Sequence, residues 1–475
     1  MTHGVLAPQS SLFASRETVN GSRGGETPTP WVRPADWLPI TAPVRADKRM
    51  VGLHAVSESG TNFVRIRARG AWRVDWGDGA GWTNVADNDV VEKNLVWGDY
   101  SSSTLTSDGF RQAVITVEAQ SGQNLTMLYL NERPVGVTST SYGSGWLDVA
   151  IGSSSPLELR PTGFSTGVFH PLLERFLCDA TLTSNATGFT SSFALREVEL
   201  DLSSVTNTSS MFQSCYALQS VPLFDLASVT DTTNMFYGCS SLQSVPLFDL
   251  ASVTNTSAMF QNCSSLQSVP LFDLASVTNT TNMFYRCSSL QSVPLFDLSS
   301  VTNTTNMFNG CSSLQSVPLF DLSSVTNTSG MFQNCSSLQS VPLLNTAAGT
   351  IFTNMFQGCS SLQSVPLLNT AAGTNFTNMF QYCSSLQSVP LLNTAAGTNF
   401  TNMFQGCSSL QWSDVTGLKY AVSYGGLNLS AAALDNIYTN LGTAAGSQTI
   451  TVTGNWGTAG DDPTIATAKG WTVAA

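Results

Sequence analysis

From residue 200 to 411 the apolar positions of this chain recur every 24 residues. In one period, Ser240 to Cys263, the apolar set includes Leu242, Val245, Leu247, Phe248, Leu250, Met259, Phe260 and Cys263. Val245-Pro246-Leu247 alternates in and out, as a short strand does. Phe248 and Leu250 continue the apolar set beyond it. Asp249 and Ser252 are placed to bend the chain through side-chain-to-backbone hydrogen bonds. Thr254, Asn255 or Thr256 can cap a short helix or 3-10 turn, on which Met259, Phe260 and Cys263 share one face. One coil has no second layer to cover these groups. Stacking identical coils at roughly 4.8 Å buries Met on Met, Phe on Phe and Leu on Leu.

Met-Phe-x-x-Cys-x-x-Leu returns nine times, marked by Cys215, Cys239, Cys263, Cys287, Cys311, Cys335, Cys359, Cys383 and Cys407. A fixed period of this length is the mark of a solenoid, which makes long surfaces and few closed pockets. Proline recurs in the strand (Pro222, Pro246 and onward to Pro390). Each proline removes a ladder donor, so pairing of only about three or four residues per coil is expected.

The coils resemble the BspA-like class of leucine-rich repeats, in the subgroup reading Val-x-Asn-x-x-x-Met-Phe-x-x-Cys-x-x-Leu. The resemblance implies a right-handed solenoid with a parallel sheet on one face. It also implies a setting on bacterial surfaces or bacteriophage particles, and it supplies no ligand.

The cysteines admit three readings: disulfides, a metal site or buried thiols. Equivalent positions in stacked coils point the same way, which is poor geometry for a disulfide. No Cys-x-x-Cys or Cys/His cluster offers a metal site. A column of buried reduced thiols remains, and fits folding in a reducing cytosol. The column Asp201, Asp225, Asp249, Asp273, Asp297 and Asp321 gives way to Asn345, Asn369 and Asn393. Asp and Asn share an acceptor and not a charge, so a turn-closing acceptor is expected in preference to a calcium ladder. Where the exit segment becomes Leu-Asn-Thr-Ala-Ala-Gly, Phe352, Phe376 and Phe400 appear three residues before Met. These phenylalanines read as volume compensation for the lost Leu and Val.

The two residues between Phe and Cys vary from coil to coil. Tyr237, Tyr285, Arg286 and Tyr382 fall there and form a candidate binding patch, since Tyr and Arg anchor interfaces. Neutral drift on a solvated ridge is the competing reading.

The N-terminal part differs in composition. Residues 1–42 read as an arm, with Trp31, Arg33 and Trp37 as candidate docking residues for a neighbouring protein. Residues 43–160 show short alternating strands at Phe63–Arg67, Trp72–Trp76, Ala113–Val117 and Leu125–Leu130, as in an all-β sandwich. Val74-Asp-Trp-Gly-Asp-Gly79 resembles the turn of PKD-like, immunoglobulin-type domains. Asp75 and Asp78 there can bind calcium, but Asp-Gly is first a hairpin turn. Residues 161–199 are expected to be a linker and N-terminal solenoid cap, 200–411 the repeats, and 412–475 a C-terminal cap with a helix at Ser430–Leu441. The fold class is thus multidomain: a PKD/Ig-like sandwich followed by an α/β leucine-rich-repeat solenoid.

Net charge is −12, and only Arg286 is basic between 203 and 411, so nucleic acid is not an expected partner. No apolar run is long enough to span a membrane, and no secretory signal begins the chain. His3, His54 and His170 sit in no motif, G-x-S-x-G and Walker patterns are absent, and Glu197 and Glu199 read as strand neighbours. No enzyme activity, cofactor or metal is expected. The whole combination, including the Ala-Thr-Ala-Lys-Gly-Trp-Thr-Val ending, resembles bacteriophage virion proteins. The resemblance implies a virion protein, of tail-fibre or receptor-binding type, that forms a homo-oligomer in the particle. It would contact other virion proteins through its arm and sandwich, and a host-surface glycan or protein through its solenoid. Capsid decoration is the alternative within the same class, and an envelope depolymerase the alternative from another.

Overall fold

The computed structural model describes residues 31–58, 62–130, 132, 142–161, 168–183 and 188–475; residues 1–30 of the expected arm lie outside them. The chain forms two compact units. One runs up to Val229 and includes Gly238–Phe248; the other comprises Thr230–Tyr237 and Asp249–Ala475.

The strands of the first unit are, in chain order, β1 (Arg49–Val56), β2 (Phe63–Arg69), β3 (Trp72–Asp75), β4 (Thr83–Val85), β5 (Val90–Asn94) and β6 (Arg111–Ala119). They continue with β7 (Met127–Tyr129), β8 (Tyr142–Gly143), β9 (Trp146–Gly152), β10 (Glu158–Arg160), β11 (Val168–Phe169), β12 (Arg175–Thr181) and β13 (Glu197–Asp201). A seven-stranded sheet has the order β13-β12-β9-β1-β6-β3-β4, and a four-stranded sheet the order β10-β7-β2-β5. β2 alternates, with Val64, Ile66 and Ala68 buried, and β3 buries Trp72 and Val74. β1 is buried at all but its first position, so both of its faces are covered. Gly52 in its middle is needed for space: a Cβ there would lie 2.3 Å from Cζ3 of Trp146.

Three of the four expected strands fall on β2, β3 and β6, and the core of the fourth on β7. The sheet does not end near residue 160. β12 and β13 extend it in parallel with β9, pairing Phe176 with Val149 and with Val198. The segment expected to link sandwich and solenoid therefore includes strand, because Phe176, Cys178 and Ala180 alternate inward. Asp75 accepts from the Gly77 N–H (2.9 Å) and Asp78 from the Ala80 N–H (3.1 Å), so both close the turn.

In the second unit each coil is a run of tight turns. Met283, Phe284, Cys287 and Leu290 are fully buried, as are their counterparts in neighbouring coils. Phe236 stacks on Phe260 and Phe260 on Phe284, with centroids 5.6 Å apart and rings within 5° of parallel. The backbone binds the stack in both directions: Thr278 and Gln291 donate back to the carbonyls of Thr254 (3.0 Å) and Gln267 (3.2 Å) in the preceding coil, and another segment donates forward. Thr256, Ala258, Phe260 and Asn262 donate to the carbonyls of Asn279, Thr281, Met283 and Tyr285 in the next coil, at 2.8–3.1 Å. Intervening N–H groups close turns within the coil, as Met283 does to Thr280.

The strand expected at Val-Pro-Leu is largely missing. Proline has no N–H for the ladder, and Phe272 donates to Pro270 in a local turn (3.0 Å). A ladder forms at β14 (Ser388–Asn393), whose partner β15 (Trp412–Thr416) contains no proline. Elsewhere in the coils of this unit, parallel bridges are single, as at Asn255–Asn279 and Asn279–Asn303. The turn has a second effect. Val269 and Phe272 face inward, and Leu271 between them points to solvent, against the expectation that every leucine stacks inside.

The Asp and Asn column closes turns as expected: Asp273, Asp297 and Asn369 accept from the N–H two residues on. Gly349 sits where Val325 sits one coil earlier, and a Cβ there would lie 2.7 Å from Cζ of Phe352. Phe352 thus fills the space that valine vacated. At the C-terminal end β16 (Val422–Ser423), β17 (Gln448–Thr451) and β18 (Trp471–Ala474) form a parallel sheet. Helix α1 (Ala431–Asn440) is capped by Ser430, which accepts from the Ala433 N–H (3.1 Å), and buries Leu434, Ile437 and Tyr438.

Candidate functional site

The two variable residues between Phe and Cys are not equivalent. The first leans on its neighbours: Asn309 donates to Gln333 (2.9 Å), and Gln333, Gln357, Gln381 and Gln405 follow as an amide ladder. The second always has positive φ, from 58° at Arg286 to 79° at Gly310. That left-handed conformation suits Gly and Asn and costs other residues roughly 1–2 kcal/mol. Gly238, Asn262, Gly310, Asn334, Gly358 and Gly406 meet the requirement. Arg286 and Tyr382 are large side chains held in it nonetheless. The recurrence of Gly and Asn was the sequence signal for this constraint, and exposure alone does not explain it.

Each large residue is followed by glycine one coil on. A Cβ at Gly310 would lie 3.0 Å from Cγ of Arg286, and one at Gly406 would lie 2.6 Å from Cδ1 of Tyr382. The side chains therefore lie over the following coil. Arg286 sits beside Tyr285, its guanidinium carbon 5.2 Å from the ring centroid. An open groove of about 540 Å³ runs past Arg286. Asn262, Gly310 and Asn334 line it with Ser264, Ser288 and Ser312. Ser288 donates to the Ser264 carbonyl (3.2 Å) and Ser312 to that of Ser288 (3.3 Å), which fixes their protons and leaves the oxygens as acceptors. Of the four sequence candidates, Tyr285 and Arg286 come together. Tyr237 is two coils away, about 10 Å, and Tyr382 four coils away, about 19 Å, so the four form no single patch.

The candidate docking residues are committed within their own unit. Arg33 Nε donates to Asp148 Oδ2 (2.9 Å), and its Nη atoms donate to the carbonyls of Trp37 and Leu38. Trp31 Nε1 donates to Glu174 (3.0 Å), and Trp37 packs with Leu53, Ala55 and Leu147. Asp148 is wholly buried and also takes two bonds from Arg175. The neighbour on which this segment docks is the chain's own seven-stranded sheet. The sequence could not show this, because the partners are more than 100 residues away.

Buried titratable groups serve structure. All ten cysteines are free and buried. Each thiol of the repeat column donates to a carbonyl 26 or 27 residues earlier, as Cys263 does to Phe236 (3.1 Å), and burial pushes Cys359 and Cys407 up to about 12. Burial lowers His54 to about 3 and His170 to about 4, so both rings are neutral. His54 accepts from the Gly145 N–H (3.1 Å), and His170 shares a 2.5 Å hydrogen bond with Ser144. Glu197 is raised by its own burial, beside Arg175 on the adjacent strand. Among the described residues no group of three or more His, Cys, Asp or Glu could hold a metal, and no helix is long and apolar enough to cross a membrane.

Coils of 24 residues with parallel bridges and a repeated buried set define a leucine-rich-repeat-like solenoid. The family described as "Mycoplasma protein of unknown function, DUF285" matches residues 183–292, 206–319 and 302–417, in agreement with a BspA-like reading of the repeats. A crystal structure of a leucine-rich repeat protein from Bacteroides ovatus ATCC 8483 is similar at 18% identity and TM-score 0.27, over 64% of this chain and 92% of that one. The structure of a TLR13–ssRNA13 complex is similar at 16% identity and TM-score 0.24, over 63% of this chain and 50% of that one. No curated protein matches the chain.

Proposed function

We propose that this is a bacteriophage virion protein of tail-fibre or receptor-binding type that acts by binding and not by catalysis. On this reading the first unit, a PKD/immunoglobulin-like sandwich, joins it to other virion proteins, and the ridge of the second unit engages a host-envelope glycan. The groove at Arg286 carries the reading. The sole basic side chain of the repeats is held there in a costly backbone conformation, beside an aromatic face and a row of hydroxyl acceptors. A guanidinium suits a sugar carboxylate, a tyrosine face suits a sugar ring, and serine and amide groups suit its hydroxyls. Strain retained at such a position is a mark of function. The buried reduced thiols support folding in a reducing compartment, as for a protein assembled into particles inside a cell. Antibody labelling of intact particles tests the assignment. Label at the tail tip is expected. Label over the head would replace it with capsid decoration, and particles without label would remove the virion reading.

A further inference from the structure

The ridge of the second unit does not stop where the Met-Phe-x-x-Cys motif stops. Phe404 stacks on Tyr424 with centroids 4.7 Å apart, which sets Gly426 beside Gly406 and Asn428 beside Ser408. Gly454 follows Gly426, since a Cβ on it would lie 3.5 Å from the Gly426 Cα. The left-handed column therefore continues through Tyr382, Gly406, Gly426 and Gly454, with φ of 62°, 76°, 70° and 82°. So does the row of hydrogen bonds two residues on. Ser408 donates to the Ser384 carbonyl (3.5 Å), Asn428 Nδ2 to that of Ser408 (2.6 Å) and Trp456 Nε1 to that of Asn428 (3.2 Å). Trp456 thus takes the ridge position that serines hold in the coils. Its backbone is pinned on both sides. Asn455 is buried and donates to the carbonyls of Tyr424 and Val452 (both 2.8 Å), and a Cβ on buried Gly457 would lie 2.2 Å from the Ala431 nitrogen. The indole is nevertheless 70% exposed, and Tyr382 is 54% exposed. Between them the floor is bare. Elsewhere the column separates its glycines by Asn, Arg or Tyr, but Gly406, Gly426 and Gly454 stand in a row. Tyr382 lies over the first, whereas a Cβ on Gly426 would meet nothing within 4 Å. The two rings flank an open shelf about two coils wide, roughly 10 Å.

We infer that this shelf binds an uncharged sugar ring of a glycan. The inference rests on the proposal that the ridge engages glycan, and it adds a subsite whose chemistry differs from that of the groove at Arg286. A pyranose has C–H faces and a hydroxyl rim. The faces pack on tryptophan and tyrosine rings, which supply large rigid area at low entropic cost. The rim hydroxyls donate to Asn428 Oδ1 and Ser408 Oγ, whose own N–H and O–H are already spent on carbonyls. No charged residue stands within two positions of Tyr382, Gly406, Gly426 or Trp456 in the sequence, so these segments offer no partner to a sugar carboxylate. Separate aromatic rings set among hydroxyls and amides suit a sugar better than a protein, whose interface core needs contiguous apolar area.

Affinity electrophoresis of the full chain tests this, in gels carrying neutral dextran, mannan or galactan, or carboxylated alginate. At least one neutral polymer retards the wild-type chain. Trp456→Ala weakens that retardation by about tenfold or more, the scale of a lost aromatic anchor, and leaves retardation by alginate unchanged. Trp456→Tyr keeps most of it. Gly426→Asn keeps the left-handed backbone, which Asn tolerates, and fills the shelf from its floor. It loses neutral retardation while its urea midpoint stays near that of the wild type. Arg286→Asn does the reverse, losing alginate and keeping the neutral polymer. Retardation by alginate alone would overturn the inference and leave the reading of the Arg286 groove standing. Neutral retardation that survives Trp456→Ala and Gly426→Asn would also overturn it, and a chain retarded by no polymer would remove both.

Discussion

Tyr382 lies over Gly406 so closely that a Cβ on the glycine would sit 2.6 Å from the ring. Two constraints meet at Gly406, since its φ of 76° also excludes most side chains at low cost. Gly406→Ala should destabilise the second unit by about 1–2 kcal/mol, read as a lower urea midpoint. Adding Tyr382→Gly should recover the steric share of that loss and leave the backbone share. Equal losses in both backgrounds would show that the ring does not rest there.

Arg286 presents the opposite case. Its φ of 58° suits Asn better than Arg, so Arg286→Asn should stabilise the unit by about 1 kcal/mol while removing the groove's positive charge. Binding to a carboxylated polysaccharide should fall, and binding to neutral dextran should not change. A variant that is no more stable and binds equally well would mark this arginine as an ordinary solvated residue.

The Asp column separates charge from acceptance. Asp297 takes hydrogen bonds from the Ser299 hydroxyl and N–H, which hold its carboxyl below the usual range. Asp297→Asn keeps an acceptor, as the natural Asn345 coil does, and should change stability by under about 0.5 kcal/mol. Asp297→Ala should cost about 1 kcal/mol. Comparing the two melting curves decides whether the carboxylate or only its oxygen is needed.

Acid should weaken the first unit. His54 and His170 ordinarily titrate near 6.5, and burial lowers them to about 3 and about 4 in the fold. The unfolded chain therefore binds protons that the folded chain refuses. Stability from the neutral rings is complete above pH 6.5 and is lost as pH falls towards 4 and 3. At pH 5 the loss is roughly 2 kcal/mol for each ring. Urea unfolding followed by tryptophan fluorescence at pH 7.5 and 5.0 should show it, and a flat profile would mean that the rings reach solvent.

The coil period, the thiol column, the Asp and Asn turns and the compensation by Phe352 were all legible, because each depends on residues that recur at fixed spacing. The outward leucines were misread. Leu271 and Phe272 are adjacent, and an extended chain cannot turn both inward, so the pattern held the contradiction without saying which would lose. β1 gave no alternation because both of its faces are covered. The docking of Trp31, Arg33 and Trp37 depended on Asp148 and Glu174, far along the chain, where no local pattern points. At the ridge the candidate residues were visible, but the left-handed backbone that makes Arg286 unusual was hidden in the choice of Gly and Asn around it.

Titration of thiols with a water-soluble disulfide reagent tests the stacked-coil account most directly. In the native chain no cysteine should react within minutes, and in denaturant without reductant all ten should react, since every one is free and buried. Rapid reaction of several thiols in the native state, or fewer than ten in the unfolded chain, would contradict a column of reduced side chains sealed between coils.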